Sequence, residues 1–349
     1  MKKILLSLLA VAALASCSKM DVVYDEPTEI GFKAVAGNMT KISGTPAGSL
    51  NQNQELGIWA FWDNDATAGA VADFTNYSDP YLVNALFAKK TSTSWGGSPT
   101  GYPWPVNGAL VFAGYTTQGD NVFPTSGDGT KVSYDLETDK MTFTNYDNTE
   151  EFDLCWFGRT ANSYNYRADG TSVPANLSHA LTWITIKVYG EGTPIGNWTI
   201  KSMNLLNVVT KGTGVCTGTT TTDATTGVIT PASATWTAVN TEDSYKIYGK
   251  TNNGITESHT ITDSEVELSN NVIIPSDPLE LVIEFKYNVG TKEVTESKTV
   301  NLKLNDNNTI PWVAGVHYTY TLKFQGNEIL VAPSYSGWSP GSNYPVTVE

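Results

Sequence analysis

Near the C-terminal end, Tyr318, Tyr320, Leu322 and Phe324 alternate strictly with Thr319, Thr321 and Lys323. A two-residue period puts the four large side chains on one face of an extended backbone and the polar ones on the other. The pattern recurs in short pieces along the chain, and no run of about 12 residues keeps the helical period of 3.6. Ile30, Phe32 and Ala34 alternate in the same way, and Leu56 to Trp62 form a dense apolar run. Further strand-like segments fall at Tyr81 to Ala88, Ala109 to Tyr115, Met141 to Phe143 and Phe152 to Phe157. In the second half they fall at Leu181 to Val188, Trp198 to Val209, Val272 to Ile274, Leu279 to Tyr287, Lys298 to Leu304 and Ile329 to Val331. About fifteen short strands separated by Gly, Pro, Asn and Ser predict an all-β chain of sandwiches.

Polar Asn162 to Asn176 divides these strands into two groups of about seven. The expected partition is a β-sandwich over residues 29–176 and a second over 177–349. Trp95 to Pro105, crowded with Gly and Pro, reads as a turn-rich connection. Gly212 to Thr235, rich in Thr and Gly, reads as a solvated hairpin or loop.

The N-terminus follows other rules. Lys2 and Lys3 precede an apolar run from Ile4 to Ala15, and Leu14-Ala15-Ser16-Cys17 closes it. A positive start, a short apolar stretch and small residues at a cut site form an export signal. About 12 apolar residues are too few to span ~30 Å of hydrocarbon. Cys17 after the small residues is similar to a lipobox, which implies a signal peptide over 1–16 and acylation (palmitate or a related chain) of Cys17. One acyl chain binds a membrane marginally and two or three bind it stably, so residues 17–28 become a tether from a membrane surface to the first strand.

The formal charge is −14. That argues against nucleic acid, which needs clustered Lys and Arg to displace counterions. No cofactor motif and no catalytic carboxylate pair stands out. Gly337-Trp338-Ser339-Pro340-Gly341 has the outline of a nucleophile elbow, but no histidine follows it. His179, His259 and His317 have neither metal-ligand spacing nor a cysteine near them in sequence, and no C-x-x-C exists, so no metal site is expected. Asp63-Asn64-Asp65 and Glu150-Glu151-Phe152-Asp153 lack calcium-loop spacing and read as solvated acidic loops. Cys155 and Cys216 read as two separate buried thiols, with a pairing between them left open. Trp59, Trp156, Trp183 and Trp198 take core positions in strands. Trp95, Trp104, Trp312 and Trp338 lie in predicted turns and are the candidates for stacking on sugar rings, which makes a surface glycan-binding lipoprotein the alternative reading.

In order and spacing, several pieces together resemble the fimbrillin family, the lipoprotein precursors of type V pili. They are the lipobox, Ile30-Gly31-Phe32-Lys33-Ala34, Gly57-Ile58-Trp59-Ala60-Phe61-Trp62 and Tyr102-Pro103-Trp104-Pro105. Ser178-His179-Ala180-Leu181-Thr182-Trp183-Ile184 and Trp312 to Leu322 complete the set. The resemblance implies two transthyretin-like β-sandwiches, no catalysis, and a structural or adhesive role in a cell-surface fimbria. Its implied partners are other pilus subunits joined head to tail, the outer membrane through the lipid, and a host glycan or protein as adhesive ligand. It further implies that a protease removes the first strand, about Glu29 to Val35, and that a neighbour's strand takes its place. The cut is expected after Lys33 or Lys41, because the only arginines are Arg159 and Arg167, deep in the chain. The lack of an arginine there leaves an unprocessed anchor as the other outcome. Tyr344, Val346 and Val348 alternate in the tail 339–349, which is either the donor strand or an edge strand folded back on its own sandwich.

Overall fold

The computed structural model describes residues 28–34, 54–66, 77, 79–91, 94–118, 122–127, 129–148, 152–160, 162–165, 172–192, 198–218, 221–222, 229–230, 233–252, 255–276, 280–302, 312–326 and 328–337. Cys17, Lys41, Trp338, Tyr344, Val346 and Val348 lie outside the described residues, as do the signal segment 1–16 and the tail 339–349.

Among the described residues every regular element is a strand. The first half holds β1 (Gly31–Ala34), β2 (Gln54–Asp63), β3 (Asp79–Thr91), β4 (Ser94–Gly97) and β5 (Ala109–Gln118). It continues with β6 (Lys131–Asp135), β7 (Lys140–Asp147), β8 (Cys155–Phe157) and β9 (Val173–Ala175). Next come β10 (Ser178–His179), β11 (Thr182–Glu191), β12 (Thr199–Thr217), β13 (Thr221–Thr222), β14 (Ile229–Thr230) and β15 (Ser233–Tyr248). The short β16 (Thr251–Asn252), β17 (Ile255–Thr256) and β18 (His259–Thr260) precede β19 (Val266–Ile273). The set closes with β20 (Glu280–Val289), β21 (Lys292–Asn301), β22 (Val316–Gln325) and β23 (Glu328–Gly337).

Three main sheets result. An eight-stranded sheet runs β10-β8-β5-β2-β3-β4-β1-β9, a four-stranded one β19-β11-β22-β23, and a seven-stranded one has the path β21-β20-β12-β7-β6 with β15 and β18 also on β12. The predicted all-β, multi-sheet class is what the chain adopts. In the eight-stranded sheet the end strands β9 and β10 are separated in sequence by Asn176 and Leu177 alone. Three Cα steps of 3.8 Å reach at most about 11 Å. An eight-stranded sheet is far wider than that at ~4.8 Å per strand, so it must curl until its two ends nearly meet.

β12 is 19 residues long and serves both halves of the chain. Its start pairs with β20, and its end pairs with β7, from Lys211↔Asp147 to Thr217↔Lys140. β15 covers its other edge over almost the whole length. A core forms where the halves meet: Trp59, Tyr115, Phe143 and Trp156 pack with Leu181, Val209, Val272 and Ile274. Asn148 ties the same region by donating from Nδ2 to the Val272 carbonyl at 2.7 Å. Among the described residues, two other large cores are built from residues between Ile30 and Leu177 and from residues between Ile184 and Phe324.

Three expectations are corrected. The Trp95 to Pro105 stretch opens with a strand, β4, because Ser94–Gly97 finds ladder partners on both sides, in β1 and β3. The Gly212 to Thr235 stretch is a hairpin, as one of the two readings had it, with β12 paired to β15 and β13 to β14, but it is not solvated throughout: Gly212, Gly214 and Cys216 are buried. Trp95, Trp104 and Trp312 are 1%, 3% and 2% exposed. Each points into a core, since a turn on the backbone still leaves the indole free to bury its large apolar area.

β2 and β5 approach closely where Gly114 lies opposite Ile58. A Cβ at Gly114 would lie 2.5 Å from Ile58 Cδ1, 2.7 Å from Phe157 Cε1 and 3.0 Å from the Gly57 carbonyl oxygen. Gly114→Ala is therefore expected to cost about 1–3 kcal/mol through overpacking, read as a lower urea midpoint at unchanged slope.

Candidate functional site: the first-strand seam

β1 bridges β4 and the terminal strand β9 of the curled sheet. It pairs antiparallel with β4, with Gly31↔Gly96, Phe32↔Trp95 and Lys33↔Ser94 in register. On its other edge it pairs parallel with β9, with Phe32↔Val173, Lys33↔Pro174 and Ala34↔Ala175. Pro174 lacks an N–H and is tolerated because β9 is a terminal strand of the sheet. Just upstream, the Ile30 N–H donates to the Tyr102 carbonyl at 2.7 Å, and the Trp104 N–H donates to the Thr28 carbonyl at 3.1 Å. Ladders on both edges leave β1 as an insert with protein backbone on either side.

The alternation seen in sequence decides which side chains the seam receives. Ile30 and Phe32 are fully buried, while Lys33 is exposed on the opposite face. The Phe32 ring meets Phe87 at 5.0 Å and 90° and Phe112 at 5.2 Å and 89°, both edge to face. Phe157 lies 6.2 Å away, tilted by 46°. Trp104 in turn stands edge-on to Phe112 at 5.8 Å. These rings come from β3, β5, β8 and the 101–105 loop, so the pocket is assembled from distant parts of the chain. Full burial of an Ile or Phe side chain stabilises by ~1.5–3 kcal/mol, and each edge-to-face pair adds ~0.5–1.5 kcal/mol.

Lys33, predicted as a cleavage position, is thus held in the ladder between Ser94 and Pro174. The first strand was legible in sequence. Its two neighbours were not, because both are short and carry Gly or Pro. The signal for β9 was the pair Val173 and Ala175 flanking Pro174, both fully buried.

Elsewhere, Cys155 and Cys216 are buried free thiols. Contrary to the expectation from spacing, His179 does have a cysteine neighbour: its Nδ1 lies 3.3 Å from Cys155 Sγ and 2.9 Å from Asp153 Oδ1. Asp153 is therefore no freely solvated loop acid. His317 is stacked on Trp183 with centroids 3.6 Å apart and bonds Thr185 Oγ1 at 2.8 Å through Nε2. Burial, followed by the Lys187 charge, pushes its pKa down to about 4, so it is neutral at physiological pH and serves packing. With three turn tryptophans buried, the stacking platforms of the glycan-binding reading are lost apart from Trp338.

The profile of one protein family, described as fimbrillin-like, matches residues 40–338. No curated protein matches the chain. Among solved structures, the chain is similar to a provisionally assigned cell adhesion protein from Bacteroides uniformis, at 14% identity and a TM-score of 0.49, over 89% of this chain and 98% of that one. A fimbrial protein from Bacteroides vulgatus is 15% identical, with a TM-score of 0.48, over 89% and 99% of the two chains. The fimbrial anchor protein Mfa2 from Porphyromonas gingivalis is 12% identical, with a TM-score of 0.32, over 90% and 99%.

If the seam is held by its two buried side chains, Phe32→Ala should destabilise by about 3–5 kcal/mol. Lys33→Ala, on the exposed face, should stay within about 0.5 kcal/mol of the parent. Chemical denaturation of both variants checks the contrast.

Proposed function

The chain belongs to the fimbrillin-like family, and from that premise we propose that it is exported as a lipoprotein through Cys17 and assembles into a surface fimbria by exchanging its first strand for a neighbour's. The family is structural rather than enzymatic, and a fimbrial subunit role follows at that level. The observation that carries the finer reading is β1 itself: four residues, laddered on both edges, in a sheet whose other strands already surround the pocket. Removing it would bare backbone groups on β4 and β9 and the apolar pocket of Phe32. An unpaired edge beside an empty apolar groove is the surface that strand addition satisfies.

In this reading the tail of one subunit enters the seam of the next. Tyr344, Val346 and Val348 offer three alternating side chains for the face on which Ile30, Phe32 and Ala34 alternate. The contact joins different surfaces on the two subunits, so it propagates as an open filament. The partition at 176/177 belongs to the same proposal: the seam opens only the N-terminal sandwich, and the C-terminal one carries the donor.

Cleavage at Lys41 fits better than at Lys33. A protease needs its substrate extended and unpaired, and the Lys33 backbone is engaged with both neighbouring strands. The lack of an N-terminal arginine keeps a lipid-held, unprocessed anchor as the competing outcome.

Two measurements separate the cases. Mass spectrometry of protein from the cell surface is expected to find an N-terminus at Ile42; a start at acylated Cys17 would mark a retained anchor. Second, Gly31 and Gly96 are direct register partners, and opposite residues lie ~4.5–5.5 Å apart at Cα, within disulfide range. A Gly31→Cys/Gly96→Cys double variant should stay monomeric when oxidised and form heat-resistant ladders once reduced and cleaved. Ladders from the oxidised form would rule out loss of β1 as a requirement for assembly.

A further inference from the structure

Asp153, Cys155 and His179 place three metal-ligating atoms in one small triangle. The backbone register dictates this. Cys155 and His179 are direct partners in the β8–β10 ladder, so their side chains leave the same face. Asp153 lies two residues before Cys155 in the extended run entering β8, and a two-residue step returns to that face. The resulting separations are 3.3 Å for Sγ to Nδ1, 2.9 Å for Nδ1 to Oδ1 and 3.6 Å for Sγ to Oδ1.

These distances suit one cation class. Zn²⁺ binds Cys sulfur at ~2.3 Å, His nitrogen at ~2.0–2.1 Å and carboxylate oxygen at ~2.0–2.2 Å in a tetrahedron. Such a tetrahedron sets its ligand atoms about 3.3–3.6 Å apart. The triangle would need to open by only a few tenths of an ångström, along the Nδ1 to Oδ1 edge above all. A mixed thiolate, imidazole and carboxylate set favours zinc over the hard, oxygen-seeking Mg²⁺ and Ca²⁺.

The surroundings hold the three residues in place. Thr116 Oγ1 accepts the Cys155 N–H at 2.7 Å and lies 3.2 Å from the carbonyl oxygens of both Asp153 and Cys155. The Ala180 N–H donates to the Leu154 carbonyl at 2.8 Å, which ties β10 to β8 beside the triangle. Outer contacts of this kind orient ligands and raise metal affinity. Cys155 is fully buried and His179 is 4% exposed, while the Asp153 side chain keeps 10% exposure and leaves an approach from solvent.

We propose that Asp153, Cys155 and His179 form a three-ligand Zn²⁺ site that staples β8 to β10, with water in the fourth position. Binding breaks the S–H bond, forms the S–Zn bond and releases one proton to solvent. Nδ1 binds without a proton: the hydrogen it carries while Asp153 Oδ1 accepts from it passes by exchange to Nε2, so the ring stays neutral, and the carboxylate binds ionised. The bound unit of Zn²⁺, thiolate and carboxylate is then uncharged, which suits a buried site. The site is separate from the strand exchange argued above and stands or falls independently of it.

The test uses the full chain, reduced and stripped of metal with a chelator. Titration with zinc sulfate, followed by calorimetry and elemental analysis after dialysis, should find one equivalent of zinc per chain and a higher thermal midpoint. Co²⁺ in its place should give a thiolate-to-cobalt charge-transfer band and the visible absorption of a four-coordinate ion. Cys155→Ser, His179→Gln and Asp153→Asn should each weaken zinc binding by at least about tenfold, whereas Cys216→Ser should bind like the parent. Less than about a tenth of an equivalent of zinc, or equal affinity in Cys155→Ser and the parent, would overturn the site and leave a hydrogen-bonded triad. Should the variants fail to fold, a cobalt spectrum of the parent lacking the thiolate band would overturn it equally.

Discussion

The architecture of the N-terminal half depends on a closure constraint. Two residues separate β9 from β10, and those strands end opposite sides of an eight-stranded sheet. The sheet must curl until β9 and β10 nearly meet. β1 bridges β4 and β9 beside that junction and sets the Phe32 ring edge-on between Phe87 and Phe112. Strand order, aromatic packing and the exchange reading all follow from that one insert. The strand can be short because its neighbours supply most of the pocket.

The second half is bound to the first by β12 rather than by a linker. The strand starts on β20 and ends on β7, so one ladder passes from one group of strands to the other. The aromatic core around Trp59, Tyr115 and Trp156 is completed by Leu181, Val272 and Ile274 from beyond the midpoint of the chain. A filament subunit must carry tension along its length. A continuous strand loads many backbone hydrogen bonds at once, and a buried core shared by the halves resists their separation.

Much of this was legible in the sequence wherever a strand is half-buried. Tyr318, Tyr320, Leu322 and Phe324 alternate as β22 requires, and Ile30 and Phe32 as β1 requires. The pattern is blurred where strands are very short or carry Gly and Pro. Ser94–Gly97 and Val173–Ala175 were read as turn and link, yet they flank β1. Trp95, Trp104 and Trp312 were misplaced for a related reason. Local sequence reports the backbone turn, but the direction of a side chain depends on what lies across from it.

Period and composition by themselves determined an all-β chain and its opening strand. They did so because side-chain alternation is a local property, written in neighbouring residues. Only the tertiary structure decided that β1 bridges β4 and β9 in a curled sheet, that β12 joins the two halves, and that His179 meets Cys155 and Asp153. Those facts depend on pairing register between segments up to about 140 residues apart. A one-residue slip in any ladder would turn the same side chains to the opposite face, and no local pattern encodes which partner supplies the register.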